Sequence, residues 1–159
     1  MIMEINMQNH KVSVLSQAAP LWLSNFVTLY QKLTTENLHL LADIYHPQVV
    51  FIDPIHQVEG LDNLSHYFEN LYQNLSACSF QIEQVINDDV QAAVYWQMVY
   101  QHPKLNKGQP VTVFGNSHIQ GKEDKVIYHR DYLDVGAMLY EQLPVFGKLT
   151  KWLKKRAAK

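Results

Sequence analysis

The chain has a single cysteine, Cys78, in 159 residues, so it forms no internal disulfide and has no CxxC pair for zinc or redox chemistry. Cys78 reads as a small buried side chain. No apolar run approaches the roughly 18 residues that span a bilayer. The stretch from Met1 to Val14 is interrupted by Glu4, Asn6, Gln8, Asn9 and His10, which is not the pattern of a signal peptide, and the cytoplasm is the expected compartment. His39, His46, His56, His66 and His102 show no metal-ligand spacing such as HExxH, and His129-x-Asp131 alone is short of the three or more ligands a site needs. No metal and no cofactor are expected. Internal repeats, low-complexity segments and linkers are also missing, so residues 1–159 are read as one domain whose 47% apolar and 11% aromatic content fills one core.

The last twelve positions contain no acid but hold six of the thirteen basic residues, Lys148, Lys151, Lys154, Lys155, Arg156 and Lys159. Residues 1–147 therefore set seven basic against fifteen acidic side chains, a net charge of −8. An acidic body argues against nucleic acid as a partner. In the tail, Phe146, Leu149, Trp152 and Leu153 recur at helical spacing beside the lysines. The tail is read as a terminal helix packed on the domain with its lysines solvated; contact with a membrane or an acidic partner is the alternative.

Leu23, Phe26, Val27, Tyr30 and Leu33 follow the i, i+3, i+4, i+7 spacing of a helix from about Pro20. A second helix is predicted from Thr35 through Leu38, Leu41, Ile44 and Tyr45, ending before Pro47. Next comes an apolar strand, Val50-Phe51-Ile52, closed by Asp53-Pro54. A third helix is predicted with Asp62 as cap and Leu64, Tyr67, Phe68, Leu71 and Leu75 on one face. From Cys78 onward the period changes to two, and turn signals at Asn87-Asp88-Asp89, Lys104 to Gly108 and Gly121 to Asp124 divide the rest into four long strands. The result is an α+β domain in which a strongly curved, mainly antiparallel sheet wraps around helices.

Strand alternation brings candidate site residues to one side. His129, Asp131 and Leu133 share a face, as do Trp96, Met98 and Tyr100, and Val113, Gly115 and Ser117. Asp53 at its strand end is either a general base or a cap that binds backbone amides. Asp131 is either a base or a buried group satisfied by His129, His118 or a tyrosine. Both acids in one apolar cavity would suit a small, mostly apolar molecule.

The order of elements, the strand ending in Asp-Pro, and the last strand reading His129-Arg130-Asp131-Tyr132-Leu133-Asp134 resemble the nuclear transport factor two superfamily. That superfamily includes ketosteroid isomerase, limonene epoxide hydrolase and the SnoaL-like polyketide cyclases. The likeness covers roughly residues 20–135, with 136–159 as a C-terminal extension. Trp96-x-Met98, His102-Pro103, Gly115-x-Ser117 and Tyr140-Glu141-x-x-Pro144 are similar to bacterial SnoaL-like proteins in particular. The resemblance implies a cone-shaped, cystatin-like domain, a homodimer, and a pocket for a small apolar or carbonyl-containing molecule.

It also implies roles, residue by residue. Asp53 matches the proton-moving aspartate of ketosteroid isomerase. Tyr30 falls one residue out of register with that enzyme's oxyanion tyrosine, and its oxyanion acid falls on Gly115 or Asn116. Asp131 matches the catalytic aspartate of the epoxide hydrolase, but that enzyme's Arg-x-Asp pair falls on Met98-x-Tyr100, which argues against epoxide hydrolysis. Asp131 also fits the base of the cyclases. The expected activity is cofactor-independent isomerisation or cyclisation, with Asp53 or Asp131 as base and His129 or a tyrosine supporting the developing charge. The expected ligand contacts are Tyr30, Phe51, Trp96, Met98, Tyr100, Val113, Ser117 and Leu133. A non-catalytic ligand-binding or dimeric assembly module is the alternative, with the segment from Gly136 closing the mouth of the cone.

Overall fold

Among the described residues six strands, β1 (Tyr45–Ile52), β2 (Gln57–Glu59), β3 (Ala77–Asn87), β4 (Gln91–Gln101), β5 (Val111–Lys122) and β6 (Lys125–Leu133), form an open, curled mixed sheet in the order β2-β1-β6-β5-β4-β3. The structure, a computed structural model, describes Leu15 and residues 19–157; the Met1 to Val14 stretch and Lys159 lie outside the described residues. The first helix, α1 (Leu21–Tyr30), turns Trp22, Leu23, Phe26, Val27 and Tyr30 into the core. Pro20 caps its start, its carbonyl accepting the amides of Leu23 and Ser24, both at 3.1 Å. Leu33, one turn beyond the helix, is also buried.

The predicted second helix is shorter than its periodicity suggests. It consists of a 3-10 turn at Leu38–Leu40 and a single α-turn, α2 (Leu41–Ile44), after which Tyr45 already belongs to strand β1 (Tyr45–Ile52). Pro47 stands inside that strand. The pairing of β1 with β6 shifts register between Tyr45 and Val50, and Pro47 and Gln48 are exposed there; a residue with no N–H to give is tolerated at such an irregularity. The β1–β6 pair is parallel, whereas the pairs β3–β4, β4–β5 and β5–β6 are antiparallel.

A three-residue strand, β2 (Gln57–Glu59), folds back on β1; it is too short for alternation to reveal. The third helix, α3 (Leu61–Tyr72), starts two residues earlier than predicted, its cap being Gly60 rather than Asp62. Gly60 has φ of +84°, a conformation open to glycine at little steric cost. Leu64, Phe68 and Tyr72 bury one face of α3, while Leu71 is exposed. Strands β3 (Ala77–Asn87), β4 (Gln91–Gln101), β5 (Val111–Lys122) and β6 (Lys125–Leu133) form the long antiparallel run.

The chain then forms α4 (Val135–Met138), capped by the Asp134 carboxylate, which accepts the Ala137 amide at 3.0 Å, and ends in α5 (Pro144–Ala157). The tail is helical as expected. Its apolar side, however, is not packed on the domain: Phe146, Leu149, Trp152 and Leu153 are each more than half exposed. The side that meets the domain carries the buried Gly147 and Lys154, which pairs with Asp134 at 2.9 Å and Glu141 at 2.6 Å.

Candidate active site

A cavity of about 320 Å³ opens between the concave side of the sheet and α3, and Asp53 and Asp131 both line it. That size is at the lower end for small-molecule sites. Phe51 and Asp53 come from the end of β1; Tyr67, Phe68 and Tyr72 from α3; Cys78 and Phe80 from β3; Trp96, Met98 and Tyr100 from β4; Asp131 and Leu133 from β6. Met138 and Leu139, from the segment after β6, form a roof. The Tyr100 hydroxyl donates to the Met138 carbonyl and ties that roof to β4.

The two carboxylates are held differently. Asp53 closes the turn from β1 into β2: its Oδ1 accepts the amides of Ile55 and His56, both at 2.7 Å. Its Oδ2 accepts the Tyr67 hydroxyl. Both oxygens are thus engaged, and the capping reading of Asp53 describes its contacts. Burial, and then the bond to Asp53, raise the Tyr67 pKa well above that of an ordinary phenol.

At Asp131 two chains of donors converge on one oxygen. Trp96 Nε1–H donates to Ser117 Oγ at 2.8 Å, and the Ser117 hydroxyl donates to Asp131 Oδ1 at 2.5 Å. On the other side His129 Nε2–H donates to the same Oδ1 at 2.8 Å. On its far side, His129 Nδ1 is hydrogen-bonded to the Tyr45 hydroxyl at 2.5 Å, and Tyr45 shares a hydrogen bond with the Tyr30 hydroxyl at 2.6 Å. Burial first, then the Asp131 charge, hold Tyr30 well above the usual phenol range; Tyr45 is raised by burial and then by Tyr30. Both hydroxyls therefore keep their protons. Asp131 Oδ2 has no hydrogen-bond partner among the described residues, and the side chain keeps 18% of its surface exposed.

His129, Tyr30, Val113 and Ser117, expected to touch a ligand, lie behind the cavity wall rather than on it. His129 is 1% exposed and boxed by Phe26, Phe51, Tyr30 and Tyr45. It touches a cavity-lining carboxylate, that of Asp131. Phe51, Trp96, Met98, Tyr100 and Leu133 line the cavity. Asn116 lies on the opposite side of β5 from Ser117, paired with Tyr95 and Tyr132, so its amide is not placed as an oxyanion donor. Gly115 has no side chain there either; the Trp96 ring occupies the space a Cβ would take.

Tyr72 is a residue the sequence reading passed over. It lines the cavity, is 6% exposed, and its oxygen accepts the Cys78 thiol at 3.7 Å. Its own hydroxyl proton has no acceptor among the described residues. Burial, and then Cys78, raise its pKa well above that of an ordinary phenol, so it remains a donor. The Cys78 thiol is itself pushed up to about 11 by burial and is inert as a nucleophile at neutral pH. The signal for Tyr72 was its place four residues after Phe68 and eight after Leu64 on one face of α3. Among the described residues no group of three or more His, Cys, Asp or Glu side chains is placed to hold a metal ion.

Comparisons with solved structures agree with this geometry at the level of fold. A protein assigned as a SnoaL-like polyketide cyclase from Shewanella putrefaciens CN-32 is 18% identical, with a TM-score of 0.63 over 75% of this chain and 93% of that one. A protein with a ketosteroid isomerase-like fold from Catenulispora acidiphila DSM 44928, solved with trimethylamine, is 12% identical, with a TM-score of 0.67 over 79% and 95%. An epoxide hydrolase of limonene epoxide hydrolase type from M. tuberculosis is 13% identical, with a TM-score of 0.59 over 74% and 83%. Among curated proteins none matches the chain. The family model of the SnoaL-like domain matches residues 26–129, a span that runs from the middle of α1 to the histidine behind Asp131, and the chain belongs to that family.

Proposed function

We propose that the protein is a cofactor-independent enzyme that moves a proton on a small, mostly apolar carbonyl compound, with Asp131 as base and Tyr72 as donor to the carbonyl oxygen. The observation that carries this reading is the division of labour at Asp131. One oxygen is fixed by Ser117 and His129, while the other has no hydrogen-bond partner among the described residues, on a side chain that lines an apolar cavity. Asp131 Oδ2 takes the proton from the carbon next to the carbonyl, the electron pair moves onto the carbonyl oxygen, and the Tyr72 O–H stabilises the resulting enolate. Returning the proton at another carbon gives an isomer; attack of the enolate carbon on a second carbonyl closes a ring. Asp53 holds Tyr67 and the turn at the cavity rim. The cytoplasm is the compartment this reading assumes.

A bound phenolate imitates the enolate and tests the assignment without knowledge of the substrate. At mildly alkaline pH, 4-nitrophenolate is expected to bind Asp131→Asn tighter than the wild type by about tenfold or more, because a like charge is removed from a poorly solvated site. Tyr72→Phe is expected to bind it more weakly. Titrations by absorbance in which both substitutions shift affinity in the same direction, or neither does, contradict the assignment.

We further propose that the outer sheet face pairs two copies. Tyr95 on β4 and Tyr132 on β6 flank Asn116 of β5, and Phe114, two residues along β5 on the same face, is 62% exposed, a largely aromatic patch of the kind that marks an interface. Phe114→Lys is expected to convert a dimer to a monomer in sedimentation velocity. A monomeric wild type, or a dimer unaffected by the substitution, rules this out.

A further inference from the structure

The helix α5 is amphipathic in an inverted sense. Its small and paired side chains face the domain, and its large apolar ones face outward. Gly147 packs so closely that a Cβ there would lie 2.4 Å from the Glu141 carbonyl oxygen. Lys154, seven residues on and therefore on the same side, is neutralised by Asp134 and Glu141. Around the opposite side run Val145, Phe146, Leu149, Trp152 and Leu153, between 51% and 76% exposed. Fourteen residues contain no acid. Lys148, Lys151 and Lys155 make no ion pair among the described residues, and the Arg156 guanidinium lies over the Trp152 ring at 5.4 Å.

We infer that α5 docks the protein on an anionic lipid surface, lying in the plane of the interface. On this face, positive charge complementary to acidic headgroups is joined to an apolar stripe. Trp, Phe and Leu side chains seat in the boundary between headgroups and acyl chains, while flanking lysines reach the acidic headgroups. A 14-residue helix is too short to cross a bilayer, which takes about 20 residues, but long enough to lie on one. A second copy of the same helix is a poor occupant of this face, since the cations beside the stripe repel their counterparts. The segment that anchors α5, from Asp134 to Glu141, also carries Met138 and Leu139 of the cavity roof. Docking would thus set the roof beside the phase in which apolar molecules dissolve. That consequence rests on the functional reading above; the docking itself does not.

The test uses the full chain with vesicles of phosphatidylcholine alone and of an equal mixture with phosphatidylglycerol. Flotation is expected with the anionic vesicles only, and to weaken by about tenfold or more when salt is raised well above physiological. Trp22 and Trp96 are 5% and 4% exposed whereas Trp152 is 53% exposed, so a blue shift of tryptophan emission on binding reports Trp152. The triple variant Lys148→Glu, Lys151→Glu, Lys155→Glu should stay in solution, and Trp152→Ala should lose the shift; both sites are exposed, and circular dichroism checks that each variant is folded. Absence of binding to anionic vesicles, or equal binding to neutral ones, overturns the inference. So does a concentration-dependent dimer that Leu149→Asp dissolves, since a second copy would then cover the stripe.

Discussion

Asp131→Asn is expected to lower deuterium incorporation from D2O into an activated ketone such as 2-tetralone by about 10³-fold, the usual scale for loss of a positioned general base. The substitution keeps the shape of the side chain. Its amide oxygen still accepts from Ser117 and His129, which hold Oδ1 at 2.5 and 2.8 Å, so the melting temperature should move by no more than about 3 °C. What it loses is the second oxygen as a proton acceptor. Asp53→Asn should cost less than about tenfold, because both Asp53 oxygens already serve Ile55, His56 and Tyr67. Proton NMR of the ketone in D2O measures both variants. If Asp131→Asn exchanges at the wild-type rate, or Asp53→Asn is the slower of the two, Asp131 is not the base.

The second large effect is expected at Gly115, where the cavity wall and the protein core meet. A Cβ there would lie 2.4 and 2.6 Å from Trp96 Cη2 and Cζ2, and 2.8 Å from the Tyr132 carbonyl oxygen on the other side. Neither neighbour can yield easily. The Trp96 ring is 4% exposed and held by its bond to Ser117, and the Tyr132 carbonyl is strand backbone. Gly115→Ala should therefore destabilise the fold by about 3 kcal/mol, at the upper end for overpacking, and lower the melting temperature by about 10 °C. Displacement of the ring also breaks one of the two donor chains to Asp131, so 4-nitrophenolate affinity should change in the same variant. Calorimetry showing Gly115→Ala as stable as the wild type would mean that the ring does not occupy that space.

These expectations indicate where the sequence was informative. Alternation by two in the long strands placed Trp96, Met98, Tyr100, Asp131 and Leu133 on the concave side, and all five line the cavity. The same alternation put His129 with Asp131 but not how deep each lies. Depth depends on sheet curvature and on α1, whose Phe26 and Tyr30 close over His129; neither is encoded in a local period. Tyr45 was misplaced in a helix because Leu38, Leu41, Ile44 and Tyr45 repeat at helical spacing and Pro47 reads as a stop. Its extended conformation follows instead from parallel pairing with β6, where Tyr45 meets Val126 some eighty positions away. The convergence of Trp96, Ser117, His129, Tyr45 and Tyr30 on one carboxylate spans four strands and a helix, so no spacing could have announced it. In α5 the periodicity gives the helix but not its orientation. A helical wheel shows which residues share a face, but here one glycine and one lysine pair decide which face meets the domain.

A crystal structure of Asp131→Asn with 4-nitrophenolate tests the central claim most directly. The account predicts the phenolate oxygen within hydrogen-bond distance of Tyr72 Oη, the substituted amide at position 131 facing the same ligand, and the ring enclosed by Phe80, Trp96 and Met98. A cavity filled by its own side chains, or a probe bound elsewhere with Tyr72 and the substituted amide facing different spaces, would contradict it.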